Sequence, residues 1–435
     1  TMNKTIHVLD AMCGSGKSTA VIEWMNSNPH KRFLYVSPLL SESEERIPYS
    51  CATLDFVYPV STSSRTKGEH LLQLLQEGRN ISCTHEMFKL MTKEHTKTIK
   101  DNGYTIVIDE EVDMITSHSP YRKEDIIYLE DIGVASIDED NFGRLSLNPV
   151  GDVPIMNGAY YKNLYDLVDL GMVYCRADRN SRGTVVLQLP VELLTSSEEV
   201  VLLTYMFEGS VMRKFLSLLN IDVKYINKDS HLSMPLLRSS EDIIKEASTL
   251  INLKPTPNHR EVSRMALTYN FYANTATKSD YDILSKTIFN AYHYSGRKAD
   301  STIVTAPEFV FRGESSARDE DGRLIQKFRK IEHPRLPNNL YLYSKCRATN
   351  DYSDKSVAIH AYNRYIQYNL QGYFKEYTGE VLDSDMYALS ELIQWIWRTR
   401  IRVGKSIDLY ILSTRMRELF EGWISGENTL KLHQF

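Results

Sequence analysis

An α/β protein of two parallel-sheet domains is what this sequence predicts, and three observations carry the prediction. Strand and helix patterns alternate through the first 115 residues. A loop of small residues, Ala11-Met12-Cys13-Gly14-Ser15-Gly16-Lys17-Ser18, joins an apolar strand to a helix. The chain has 435 residues, more than one core fills, and apolar strands separated by long amphipathic helices continue past residue 220.

The elements follow in order. Ile6 to Leu9 is an apolar strand, and Ser18 to Asn26 reads as the helix beyond the loop. Arg32 to Ser37 is a buried-type strand stopped by Pro38. A helix over Gly68 to Glu77 precedes a short strand, Asn80 to His85, which leaves Thr84 and His85 at its end; another helix starts near Glu86. Tyr104 to Ile108 is a central strand delivering Asp109, Glu110 and Glu111. From Thr116 to Pro190 the pattern turns polar around a helix, Tyr160 to Leu170, and a hairpin pairing Met172–Arg176 with Thr184–Leu189 through Asn180-Ser181-Arg182-Gly183. This stretch reads as an insertion, a candidate strand-separating or partner-docking element, with the hairpin turn Asp178 to Arg182 favoured as a plain surface turn. The parallel pattern resumes at Val200 to Thr204.

A second α/β unit is expected from about Asn220, with strands at Val223–Ile226, Met265–Tyr269, Thr302–Thr305, Leu340–Tyr343, Val357–Ala361 and Ile407–Leu412. Helices over Tyr281–Tyr294 and Ser384–Trp397 lie between them. The expected division is 1–219, carrying the insertion at about 116–190, and 220–435.

Composition narrows the class. Hydrophobic residues are 42% and charged residues 25%, as in soluble globular proteins. Lys and Arg number 51 against 56 Asp and Glu; the net charge of −5 argues against a nucleic-acid-coated body but allows one basic groove. Cys13, Cys51, Cys83, Cys175 and Cys346 are dispersed with no zinc spacing, so a reduced intracellular chain without a metal cluster is expected. No apolar run reaches the ~18 residues of a membrane span. The first strand begins almost at once, so no signal peptide is expected, and the expected location is cytoplasmic.

The loop is built for a nucleoside triphosphate. Backbone N–H groups wrap a β-phosphate only where bulky side chains are absent, which explains Gly14, Ser15 and Gly16. Lys17 adds a point charge for the β and γ phosphates, the Ser18 hydroxyl reaches Mg²⁺, and the helix aims its N-terminus at the anion. The ATP-binding set is Ala11, Cys13, Gly14, Ser15, Gly16, Lys17, Ser18 and Thr19, with Ala11 standing where the pattern usually opens with Gly. About 90 residues downstream, Asp109 is placed to hold Mg²⁺ mostly through water and Glu110 to orient and deprotonate the attacking water. Glu111 and Asp113 are expected to be solvated or paired with basic groups. Near the other end, Gln394-Trp395-Ile396-Trp397-Arg398-Thr399-Arg400-Ile401-Arg402 sets Arg398 and Arg402 four apart, on one face if helical, where guanidinium groups would neutralise charge developing in hydrolysis. The competing reading is a basic amphipathic helix whose tryptophans are core and whose arginines are solvated; against it, a helix cannot turn Trp395 and Trp397 into the same core.

The ordered set Ala11–Ser18, Ser37-Pro38, Thr84-His85, Asp109-Glu110-Glu111, Leu203-Thr204-Tyr205 and Gln394–Arg402 resembles the superfamily 2 (DEAD-like) helicases, particularly compact helicases encoded by large bacteriophages. The resemblance spans both halves of the chain. It implies two RecA-like parallel-sheet domains in tandem with an insertion in the first, ATP and Mg²⁺ as cofactors, and catalytic roles for Lys17, Asp109, Glu110, Gln394, Arg398 and Arg402. It also implies that Thr204 couples ATP state to the track. Single-stranded nucleic acid, DNA in preference to RNA, would be gripped by Ser37, Pro38, Thr84, His85, Arg347, Thr349 and Asn350 through backbone contacts. His85 alone reads equally as a structural histidine. The segment Lys345 to Asn350 is similar to the family's fifth motif. Replication or recombination proteins are implied partners, a membrane is not, and a phage-encoded chain would work in the host cytoplasm.

Departures from the pattern are specific. Trp397 replaces the Gly usual before the first arginine, and the last arginine falls one residue late, leaving Arg400 or Arg402 as the second finger. Too few residues precede the loop for an adenine-reading glutamine motif, so base selectivity is expected to be loose. The charged segment Arg312–Arg335 mixes both signs and reads as a solvated loop. The function expected is an ATP-driven translocase or helicase. A DNA-packaging motor and an ATP-gated clamp remain alternatives; a nucleotide kinase is disfavoured by chain length and by the distant arginine motif.

Overall fold

The computed structural model describes residues 4–117, 119–149, 159–175, 185–227, 230–256, 266–296, 298–312, 330–342 and 352–426. They fall into two compact units. The first comprises residues 1–10, 17–235 and 366–383; the second, 11–16, 236–365 and 384–435.

In chain order the first unit forms β1 (Thr5–Asp10), β2 (Arg32–Ser37), β3 (Ile81–Thr84) and β4 (Tyr104–Asp109). The inserted strands are β5 (Ile115–Thr116), β6 (Ala135–Asp138), β7 (Arg144–Leu147), β8 (Val173–Cys175) and β9 (Val185–Gln188). Then come β10 (Glu199–Thr204) and β11 (Asp222–Tyr225). Six of these make an all-parallel sheet ordered β11-β1-β10-β4-β2-β3. Every residue of β4 is buried, as is the apolar run of β10, because helices cover both faces of such a sheet.

One expectation is corrected here. The strand near Val223–Ile226 does not open a second domain: as β11 it pairs in parallel with β1, Ile6 opposite Val223. β1 is buried from Ile6 to Leu9 and lies between two strands; β11, itself half-exposed, supplies the outer neighbour.

The insertion is a five-stranded sheet, ordered β5-β9-β8-β7-β6 and antiparallel throughout. Helices Lys123–Asp131 and Ala159–Asp169 supply Ile126, Leu129 and Leu164 to a core with Leu145 and Val173. The expected hairpin is present as β8 against β9; its turn lies outside the described residues. The later helix Tyr368–Thr378 also belongs to this unit: Tyr373 donates to the Phe142 carbonyl (2.9 Å), and Lys214 pairs with Glu380.

The second unit carries β12 (Ile251–Leu253), β13 (Thr302–Thr305), β14 (Val357–His360) and β15 (Ile407–Ile411), parallel and ordered β12-β15-β14-β13. Helix Lys278–Tyr294 packs Ile288 and Phe289 on Val304, Ile359 and Tyr410. The fold is therefore α/β with two parallel sheets and an insertion in the first unit, as expected. Two expected strands differ. Of Met265–Tyr269, Met265 lies outside the described residues, and the rest turns because Leu267 sits at φ +63°. Leu340–Tyr343 reduces to a single parallel bridge from Tyr341 to Val304, with Tyr343 outside the described residues.

Candidate functional site

The small-residue loop leaves β1 and enters helix Lys17–Asn26 directly. Gly14 (φ +85°) and Gly16 (φ +91°) both lie in left-handed space, which a side chain strains. A Cβ on Gly16 would also stand 2.8 Å from Leu237 Cγ, so the leucine would have to move aside for it. Ser15 N–H donates to the Met12 carbonyl (3.1 Å), closing the turn. The helix then begins at Lys17, and the first-turn N–H groups of a helix N-terminus favour an anion.

Within the first unit, the Ser18 hydroxyl donates to Asp109 Oδ2 (3.2 Å). Tyr35, from β2, donates its phenol to the same oxygen (2.9 Å). Residues 91 apart in sequence thus meet where two parallel strands end. Burial raises the Asp109 carboxyl from 3.8 to about 6, with Glu110 and Glu42 adding to the shift. Burial likewise drives the Tyr35 phenol well above its usual value. Glu110 occupies left-handed space (φ +61°), its N–H held by the Leu203 carbonyl (2.9 Å), so the chain turns sharply straight after Asp109.

Glu111 has a partner the sequence did not indicate: its Oε1 accepts the Thr204 hydroxyl at 2.8 Å, joining the ends of β4 and β10. Sequence reasoning also missed Asp10. At the end of β1 it accepts N–H bonds from Met206 (2.8 Å) and Phe207 (2.9 Å), fixing the left-handed turn at Met206 (φ +60°) just after Thr204. Burial raises its carboxyl, and those two backbone bonds oppose the rise. An acid ending an apolar strand beside the loop was the available signal.

The residues expected to grip a track divide. Ser37 is buried and donates to the Leu39 carbonyl (2.8 Å). His85 is buried with Nε2 on the Asp109 carbonyl (2.9 Å), which fits the structural reading of that histidine. Neither side chain faces solvent, so an approaching phosphate would meet their backbone only. Thr84 caps helix His85–Lys89, accepting from Met87 N–H (3.3 Å), and with Pro38 stays half-buried at the sheet edge. Arg347, Thr349 and Asn350 lie outside the described residues, as does Cys346.

In the second unit, helix Ser384–Ile396 stops before the arginines. Arg398 N–H closes a turn on the Trp395 carbonyl (3.1 Å), and Arg400–Val403 is a separate 3₁₀ turn. The single helical face expected for Arg398 and Arg402 therefore does not exist: Arg398 is 6% exposed, whereas Arg402 is in solvent. The same break lets both tryptophans be buried, Trp395 edge-on to His360 and Trp397 edge-on to Trp423. Of the competing reading, the core tryptophans and a solvated Arg402 are present, but the helix does not reach the arginines and Arg398 is buried. Gln394 Nε2 donates to Ser390 Oγ (3.2 Å). A network the sequence did not reveal lies nearby. Buried Arg415 donates to the carbonyls of Arg364 (2.7 Å) and Ser384 (2.9 Å), which bracket residues 366–383, and to Asp385.

Among the described residues, no helix is long and apolar enough to cross a membrane. Residues 245–424 match the family described as the YonV C-terminal Rossmann-like domain. The chain is similar to the SPbeta prophage-derived uncharacterized protein YonV of Bacillus subtilis (strain 168): 25% identical over 438 residues, covering 97% of this chain and 99% of that one. Among solved structures it is similar to that titled "Structure of S. tokodaii Xpd4", at 14% identity and TM-score 0.47 over 96% of this chain and 94% of the other.

Proposed function

We propose that this chain is an ATP-driven translocase of the helicase type, acting on single-stranded nucleic acid. The observation that carries the proposal is the Ser18 hydroxyl on the Asp109 carboxylate, at the foot of a glycine loop that enters a helix. The donor set fits a Mg²⁺-nucleotide. A hydroxyl and a buried carboxyl of raised affinity for a proton are adjacent, and a divalent cation relieves the same charge crowding a proton does. Ser18 and Asp109 would hold Mg²⁺, Asp109 mostly through water, and the ion would neutralise charge on the phosphates. Lys17 supports the β and γ phosphates, and Glu110 orients and deprotonates the attacking water. Arg398 and either Arg400 or Arg402 are proposed to supply the transition-state cations, with the neutral Gln394 as a further catalytic residue beside them.

Thr204 is proposed as the coupling residue, and its bond to Glu111 supports the role, since it ties the turn after β10 to the acidic triplet. Unwinding of DNA in replication or recombination, in a host cytoplasm, is the finer reading that we favour. The test is hydrolysis of ATP with and without single-stranded DNA or RNA, followed by a forked-duplex assay. Stimulation with strand separation is expected; stimulation alone points to a packaging-type motor. Nucleic-acid binding gated by ATP without travel points to a clamp. Lys17→Ala is expected to abolish turnover, and hydrolysis that survived it would refute the assignment of the loop.

A further inference from the structure

The phosphate loop is held by residues that no motif assigns. By its contacts the loop Ala11–Gly16 belongs to the second unit, together with the segment leading into helix Ser240–Leu250. Two backbone amides from that segment converge on one oxygen: Leu237 N–H (3.0 Å) and Arg238 N–H (3.3 Å) donate to the Ser15 carbonyl. One residue past the helix cap, Ser240 Oγ accepts the Met12 N–H at 3.1 Å. Ser239 already serves the cap, accepting from Asp242 N–H (3.1 Å), which leaves the Ser240 hydroxyl for the loop.

Peptide geometry makes these bonds consequential. The Ser15 carbonyl and the Gly16 N–H share one rigid, trans peptide plane and point in opposite directions. Fixing the carbonyl toward Leu237 and Arg238 therefore aims the Gly16 N–H away from them. At φ +91°, Gly16 has no side-chain barrier of its own to hold that orientation. The Leu237 side chain lies beside Gly16, where a Cβ of that residue would stand. The Met12 bond anchors the front of the same turn, whose other closure is Ser15 N–H to the Met12 carbonyl.

We propose that residues 237–240 are positioning residues that preorganise the phosphate loop, with Ser240 and the Leu237–Arg238 amides holding two of its peptide planes ready for a polyphosphate. This rests on the nucleotide reading above and extends it: the loop needs a brace from a segment more than 200 positions away in sequence. The rotational freedom removed before binding would otherwise be lost at binding.

The full chain, Ser240→Ala and Ser240→Thr are compared by amide hydrogen exchange without nucleotide, and by equilibrium binding of Mg²⁺-ADP. Ser240→Ala is expected to speed exchange across residues 11–16 about fivefold and to weaken Mg²⁺-ADP by a similar factor, the size of one net hydrogen bond. Ser240→Thr, which keeps the hydroxyl, is expected to restore both. Unchanged exchange in Ser240→Ala overturns the brace, as does Mg²⁺-ADP binding that is unchanged or tighter. A native chain that binds no nucleotide while the exchange difference persists refutes the nucleotide reading and leaves the brace standing.

Discussion

Asp109→Asn is expected to stabilise the first unit while disabling its chemistry. The buried carboxyl is raised from 3.8 to about 6, so the folded state binds its proton more tightly than the unfolded chain does. Stability carried by that proton is full below about pH 4, declines between about 4 and 6, and is absent above. The whole difference is worth about 3 kcal/mol at neutral pH. Asparagine never ionises, and its Oδ1 still accepts from Ser18 or Tyr35 in place of Asp109 Oδ2. One of the two bonds weakens, so a net gain of about 1–3 kcal/mol is expected at pH 7.5. Thermal unfolding of the two proteins from pH 4 to 8 would show curves that coincide at the acid end and separate by a few degrees above pH 6. Adding Mg²⁺-ATP should then stabilise the native chain more than the variant and close the gap. A variant less stable at pH 7.5, or a difference that ignores pH, would refute the reasoning that burial has left an unrelieved charge at this position.

Two further outcomes test the remaining roles. Arg398→Ala should bind Mg²⁺-ATP normally yet lose ~10³ or more in hydrolysis rate, measured by single turnover; normal turnover removes it from the site. Thr204→Val deletes the 2.8 Å bond to Glu111 while preserving shape. It should retain basal hydrolysis and lose ten- to a hundredfold in stimulation by nucleic acid, about the 1.5–3 kcal/mol of a hydrogen bond to a charged group; intact stimulation would remove Thr204 from the coupling.

Local chemistry made much of this protein legible. An apolar strand, a glycine loop and a helix start are encoded within fifteen adjacent residues, and positive φ at Gly14 and Gly16 is the physical reason those positions carry no side chain. The Asp109-Glu110 pair was equally readable, because a continuous apolar run ending in acids describes a buried parallel strand and its functional edge. Where the local signal was thin, the readings went astray. β12 is three residues following a helix with no turn residue between, and β11 had no marker saying which sheet it would join.

What the sequence determined, then, is which groups are proposed for the site: Lys17, Ser18, Asp109, Glu110 and Arg398 are picked out by chemistry that reads along the chain. Tertiary structure alone decided how each is held. The Tyr35 phenol on Asp109, the Glu111–Thr204 bond, the Asp10 clamp on Met206 and Phe207, and the brace from Leu237 to Ser240 all join residues distant in sequence. Tertiary structure also ended the helix at Ile396 and buried Arg398 while leaving Arg402 in water, against the i, i+4 pattern. Periodicity specifies a face only while the helix lasts; where it stops depends on packing, here the burial of two tryptophans that one helical face could not accommodate.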